Sequence, residues 1–237
     1  MRLGMALMIM PGIGDSFVTP QVRLLFALAM SLVLTPVLTP VLPPIPAQSM
    51  DLIALLLTEA LIGIFIGTIM RILMSALDTA GSLISLQTGF SNALLFNPVT
   101  ASQGSIVGSL YSMLGVTLLL VMNLHHYMLA SVVESYQTFP AKGLLPDSGA
   151  LLEVISRTVS VAFKVAAQIA LPFLIVGLLV QTGFGLLGRL MPQVQIFFLA
   201  LPAQILIGMV MITMVLSIGM MFWVSVYEDT ITQSLAP

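Results

Sequence analysis

The apolar positions of this chain come in long runs, cut by proline, glycine and short polar stretches. Residues 24–42, 52–77, 106–133, 158–190 and 194–227 each form such a run. A membrane-spanning helix needs about 20 mostly apolar residues, so each run predicts a helix of spanning length. Residues 80–96 are a further apolar segment, studded with Gly, Ser, Gln and Asn and followed by a turn over residues 97–103. Residues 1–10 are apolar too, but Pro11 and Gly12 cut them off short of a span. That first element is expected to be half-buried, unless the natural start lies upstream of Met1.

Punctuation predicts the boundaries. Prolines at 36, 40, 43, 44 and 46 remove backbone donors and clash with the preceding turn. The second element is therefore expected to stop near residues 34–41 and to leave a loop over residues 43–50. Residues 134–153, with Pro140, Gly143, Pro146 and Gly149, form the best linker in the chain. Pro172, Gly183, Gly185 and Gly188 predict breaks in the run over residues 158–190. The expected fold is all-α and membrane-associated, built from long broken helices and helical hairpins.

Residues 180–208 gather prolines, glycines, glutamines and Arg189 into a run that is otherwise as apolar as a bilayer core. Lipid cannot hydrogen-bond such groups, and each unsatisfied backbone group costs roughly several kcal/mol there. A break between helices, enclosed by protein, is expected. There is also an internal echo. Gln87-Thr88-Gly89-Phe90 recurs as Gln181-Thr182-Gly183-Phe184, and a proline follows each at the same distance, Pro98 and Pro192. Paired break motifs are a feature of repeat-built membrane proteins.

Composition sharpens this. Of 237 residues, 59% are hydrophobic and only 7% charged, with a mean hydropathy of +1.14. Soluble domains carry about a quarter charged residues. The formal net charge is −2 with seven Lys and Arg, so no basic patch exists for nucleic acid and orientation in a membrane stays open. Cysteine is absent, which excludes disulfides and thiolate chemistry. Arg2 stands alone without an Ala-x-Ala cleavage signal, so no signal peptide is read at the start.

Little in the chain carries catalytic chemistry. Gly12-Ile13-Gly14-Asp15 matches the GxGD of intramembrane aspartyl proteases, but no aspartate precedes Asp15 to share a proton with it. Asp15 is expected to be the N-cap of the next helix. Adjacent His125 and His126 point about 100° apart on a helix and have no carboxylate within a turn. No catalytic, cofactor or metal residues are assigned. Glu59, Gly63, Gly67 and Arg71 step by four along one helix and form a slanted ridge. Gly63-x-x-x-Gly67 and Gly104-x-x-x-Gly108 are close-packing surfaces. Glu59 and Arg71, about 18 Å apart along a helix, cannot pair with each other and are expected to meet neighbouring subunits or the water interface. A proton-coupled transporter would instead use Glu59 and Lys164. The methionine-rich run that includes Met209, Met211, Met214, Met220 and Met221 is expected to fill irregular packing.

Together these motifs resemble the FliR/SpaR type of export-gate protein of bacterial type III secretion systems. The residues are M-P-G-I-G at 10–14, Pro20 with Arg23, L-Q-T-G-F-S at 86–91 and Asn97-Pro98. They continue with N-L-H-H at 123–126, S-Y-Q-T-F-P at 135–140 and the long motif L-G-R-L-M-P-Q-V-Q-I-F-F-L-A-L-P at 187–202. The resemblance covers nearly the whole chain and lacks only the longer first helix usual in the family. The segments at 135–140 and 190–195 look more flagellar than virulence-type. Asn97, Gln195 and Gln204 depart from the aspartate, asparagine and lysine frequent at those positions.

The resemblance implies a non-enzymatic subunit of the flagellar export gate, in the bacterial inner membrane within the basal body. Residues 1–150 would be P-subunit-like and 151–237 a Q-subunit-like hairpin. A plug loop near residues 92–103 would close the conduit, with Phe90, Asn92, Leu94, Leu95, Phe96, Asn97 and Pro98 as its gate. Partners would be P-type and Q-type gate subunits, the B-type switch subunit, the A-type export subunit, membrane lipid and unfolded substrates in transit. No cofactor is implied. Besides the ridge and Gly104 and Gly108, the expected packing and interface residues are Gln87, Gly89, Gln181, Gly183, Arg189, Pro192, Gln193, Gln195 and Pro202. Against this stands a secondary transporter, with the paired QTGF segments as unwound, solute-binding helices.

Overall fold

The computed structural model describes residues 1–15, 17–44, 46–92, 105–141, 148–191 and 196–235. All elements among them are helical. They are α1 (Arg2–Ile9), α2 (Pro20–Leu38), α3 (Ser49–Gln87), a 3-10 turn (Phe90–Asn92), α4 (Ile106–Val121), α5 (Leu124–Thr138), α6 (Ser148–Leu190) and α7 (Ile196–Leu235). α2, α3, α6 and most of α7 are long and apolar enough to cross a membrane, and the bent pair α4–α5 is a candidate fifth span.

Local chemistry explains the ends. Pro20 opens α2 at a position where its missing N–H leaves no bond unmade. Ser31, Thr35 and Thr39 return their hydroxyls to carbonyls one turn back along that helix, which lets it run in apolar surroundings. α3 ends at Gln87, and just beyond it Gly89 takes a left-handed φ of 78°, a conformation that a side chain would resist.

Several boundaries differ from the sequence expectation. Residues 52–77 and 80–87 form one 39-residue helix, about 58 Å long, rather than two elements. No proline interrupts the join, and the Thr79 hydroxyl bonds back to the Ser75 carbonyl. Conversely, the run over residues 106–133 is not one helix. It bends by 76° between α4 and α5, where Asn123 adopts φ 59° and ψ 20°. Asparagine is among the few residues that take this left-handed conformation readily. The expected linker is shortened at both ends, since α5 continues to Thr138 and α6 begins at Ser148.

The expected breaks within residues 158–190 are absent. α6 runs 43 residues through Pro172, Gly183, Gly185 and Gly188. Pro202, among the prolines of the run over residues 180–208 where a break is expected, lies inside α7. Helices of this kind tolerate internal proline where neighbouring groups satisfy the freed carbonyl. The interruption lies between Leu190 and Ile196, and Pro192, Gln193 and Gln195 fall outside the described residues.

The chain forms two compact units that do not follow chain order. The first takes residues 1–74, 116–161 and 227–237; the second takes 75–115 and 162–226. Within the first, α1 lies against α2 and α5, and Leu3, Ala6, Leu7 and Met10 are buried. Phe65 and Phe139 meet edge to face at 6.4 Å. Within the second, a Cβ on Gly81 would fall on the Gly108 backbone, so α3 and α4 cross in direct contact. In the same unit Gln168, Ile169 and Pro172 of α6 share a groove with Val215, Ile218, Gly219 and Phe222 of α7. Further along, Phe173, Gly177 and Val180 share a second small cavity with Ile207, Gly208 and Met211. Rising numbers on α6 meet falling numbers on α7, so the two helices pack antiparallel as a hairpin.

Candidate functional site

The ridge of residues 59, 63, 67 and 71 is where α1 docks. Gly63 lies under Arg2, and a Cβ there would collide with the Arg2 carbonyl. At Gly67 a Cβ would come within 2.9 Å of the Ile9 side chain and 3.0 Å of the Ala6 carbonyl. Two missing side chains thus let the short helix lie directly on α3.

Charges fix both ends of the ridge. The Arg2 guanidinium donates from Nε to Glu59 Oε2 at 3.1 Å and from Nη2 to Glu59 Oε1 at 2.8 Å. Two further N–H groups reach Ser135 Oγ at 3.1 Å and the Phe139 carbonyl at 2.8 Å, and the Tyr136 ring lies 3.9 Å from its centre. A buried arginine is tolerable only when its charge is paired and most of its donors are bonded in this way. At the far end, Arg71 donates to the Ile9 carbonyl at 3.3 Å and lies 3.4 Å from Asp15 Oδ1. Glu59 and Arg71 therefore find their partners inside the chain, not in each other.

The turn after α1 is equally determined. Gly12 has φ 86° and donates its N–H to Asp15 Oδ2 at 2.7 Å. Asp15 thus closes the turn backward, and Thr19, not Asp15, is the N-cap of α2. Arg23 gathers the carbonyls of Gly14, Asp15 and Val18. The M-P-G-I-G motif, Asp15 and Arg23 are joined by these hydrogen bonds.

In the second unit, three helices meet at the end of α3. Gln204 Nε2 on α7 donates to the Gln87 carbonyl at 2.5 Å, one of the carbonyls a helix end leaves unpaired. Gly208 gives room to Thr88 and Gly177 to the Gln87 side chain, whose Oε1 has no hydrogen-bond donor. Gly89 turns the chain away and Phe90 begins the 3-10 turn, half-buried, with Asn92 at its end. Leu94, Leu95, Phe96, Asn97, Pro98 and Gly104 lie outside the described residues. Gly108 packs on Asp78 and Gly81.

Other expected residues are not drawn together. Gln181, Gly183 and Arg189 are exposed along α6, and no atom lies within 4 Å of where a Gly183 Cβ would be. Pro202 is exposed on α7. The second QTGF segment sits in continuous helix, so the pair of breaks is not formed. His125 and His126 stack with ring centroids 4.2 Å apart. Among the described residues, no group of three His, Asp or Glu could hold a metal ion.

Sequence reasoning missed Arg2, Ser135, Phe139 and Tyr136 around Glu59, and Gln204 beneath Gln87. Arg2 was legible in one respect: an ionisable residue in an apolar helix demands a partner of opposite charge.

Comparison with known proteins adds the lineage. The family described as bacterial export proteins, family 1, matches residues 1–230. The flagellar biosynthetic protein FliR of Caulobacter vibrioides is 37% identical over 228 residues, spanning 96% of this chain and 90% of its own length. The FliR proteins of Escherichia coli and Bacillus subtilis are each 28% identical, over 84% and 73% of this chain and 75% and 68% of their own lengths. With the all-helical architecture and the match over nearly every residue, the chain belongs to bacterial export protein family 1.

Proposed function

We propose that the chain is a component of the flagellar protein export apparatus, acting in the inner membrane without catalysis. The observation that carries this is the likeness to flagellar biosynthetic proteins along 96% of the chain. The physical surface agrees with it. α2 keeps only Ala27 and Leu38 buried, and large apolar side chains such as Leu32, Leu178 and Met214 are exposed. Surfaces of this kind need lipid or partner helices.

In this reading residues 1–150 take the place of a P-type subunit and 151–237 that of a Q-type hairpin. P-type, Q-type, B-type and A-type components surround the chain, in a basal body that passes unfolded substrates. Arg189, exposed near the end of α6, meets a neighbouring subunit, as do Gln193 and Gln195. Residues 92–103 close the conduit, with Phe90, Leu94, Leu95 and Phe96 filling the lumen. A hydrophobic constriction excludes water and ions until it is displaced. Its base is held by the bond from Gln204 to the end of α3.

Deletion of residues 92–98 tests the plug. Cells carrying the shortened protein in an assembled apparatus should leak small solutes; unchanged permeability would overturn the assignment. The transporter reading loses its main support, because Gln181–Phe184 is regular helix and Glu59 is already paired with Arg2.

A further inference from the structure

Among the described residues, two carboxylates on α3, Asp51 and Asp78, have no cation within ion-pairing distance. Asp51 lies in the first turn, where the helix dipole favours an anion. Glu59 pairs with Arg2, and Arg71 with Asp15. Asp78 is exposed. Among the described residues no cation lies within ion-pairing distance, and its one side-chain donor is the Ser112 hydroxyl, 2.5 Å from Oδ1.

The surroundings of Asp78 have a consistent hydrogen-bond polarity. Thr79 donates its hydroxyl to the Ser75 carbonyl, Ser82 to the Asp78 carbonyl, Ser105 to the Gly81 carbonyl and Ser109 to the Ser105 carbonyl. With Ser112 committed to Asp78, all five hydroxyl protons are used inside the chain. This face of α3 and α4 therefore offers lone pairs and a carboxylate, and none of these five hydroxyls is free to donate; the unpaired Tyr111 hydroxyl beside them is buried and not presented at the surface. The face is also low, because Gly81 and Gly108 cross in contact and small side chains flank them. A lipid tail cannot supply donors, and a charge facing lipid is costly. A low surface of small residues admits the backbone of another helix.

We propose that this face is a subunit interface whose partner is a helix bearing an arginine or lysine, with its N–H donors bound to Asp78. The proposal rests on the reading of the chain as part of an assembly. Arginine fits best, since its fork can bind a carboxylate and a hydroxyl oxygen together.

The test uses the full-length tagged chain purified from its native membranes. Asp78→Lys should reduce recovery of associated subunits by at least about tenfold, the least that an uncompensated charge at a buried contact implies. Asp78→Asn should cost less. An acidic substitution of the matching basic residue in a co-purifying subunit should restore the Asp78→Lys complex. Because the chain has no cysteine, Ser82→Cys provides an independent readout. It should resist a water-soluble maleimide in the complex and react once the complex is dissociated. Wild-type recovery with Asp78→Lys, or equal labelling in both states, would overturn the interface and identify a water-facing wall. Failure of the unmodified chain to bring down any subunit would overturn the assembly reading as well.

Discussion

Arg2 and Glu59, 57 positions apart in sequence, form a buried two-point ion pair that ties the first helix to the N-terminal third of α3. The Arg2 side chain is fully buried and that of Glu59 is 9% exposed. Removing one partner leaves an uncompensated charge, a loss of about 3–5 kcal/mol. Glu59→Ala should therefore lower the melting temperature of the purified protein and open residues 10–19 to protease. Replacing both, as Arg2→Met with Glu59→Leu, should recover much of that loss, because apolar pairs of similar size substitute well for buried ions. A double variant no better than Glu59→Ala would show that the hydrogen bonds to Ser135 and Phe139 matter more than the orphaned charge.

Glycines in this chain fall into two physical classes, and alanine substitution should separate them. Gly63→Ala pushes a methyl group into the Arg2 carbonyl. Overpacking of this kind costs about 1–3 kcal/mol. Gly183→Ala meets nothing within 4 Å in a continuous helix and should be neutral or stabilising by about 0.5–1 kcal/mol. Thermal unfolding of the two variants side by side gives the answer. Equal effects would contradict the docking of α1 on the ridge.

The bond from Gln204 to the Gln87 carbonyl makes position 204 a donor site at a helix C-terminus. Gln204→Leu should destabilise by about 1 kcal/mol, the low end of the cost of leaving an acceptor unpaired, since this carbonyl is part-buried. Gln204→Lys should be tolerated, since an ammonium both donates and complements the negative end of α3. Loss of stability with lysine equal to that with leucine would remove the donor role.

The ridge at 59, 63, 67 and 71 was legible because helical periodicity alone puts those residues on one face. Its partner was not, because α1 is too short to be recognised as a packing element and Arg2 lies 57 positions from Glu59. The two QTGF segments show a different limit. The same four residues end one helix and continue another. Gln87 finds a donor from Gln204, and Thr88 packs on Gly208; Gln181 and Gly183 are exposed and have no such neighbours. Helix termination there is a tertiary event that local composition does not record. Likewise the bend at Asn123 turns on one left-handed residue within an apolar run.

On the proposed function, this chain works as one part of a larger export assembly. The most direct measurement is purification of the tagged, full-length chain from native membranes in mild detergent, with its mass and composition determined by native mass spectrometry. A single large complex is expected, containing several small helical membrane proteins, among them P-type and Q-type gate subunits. Recovery as a free monomer or dimer that takes up solute in proteoliposomes, with uptake dependent on Glu59, would contradict it.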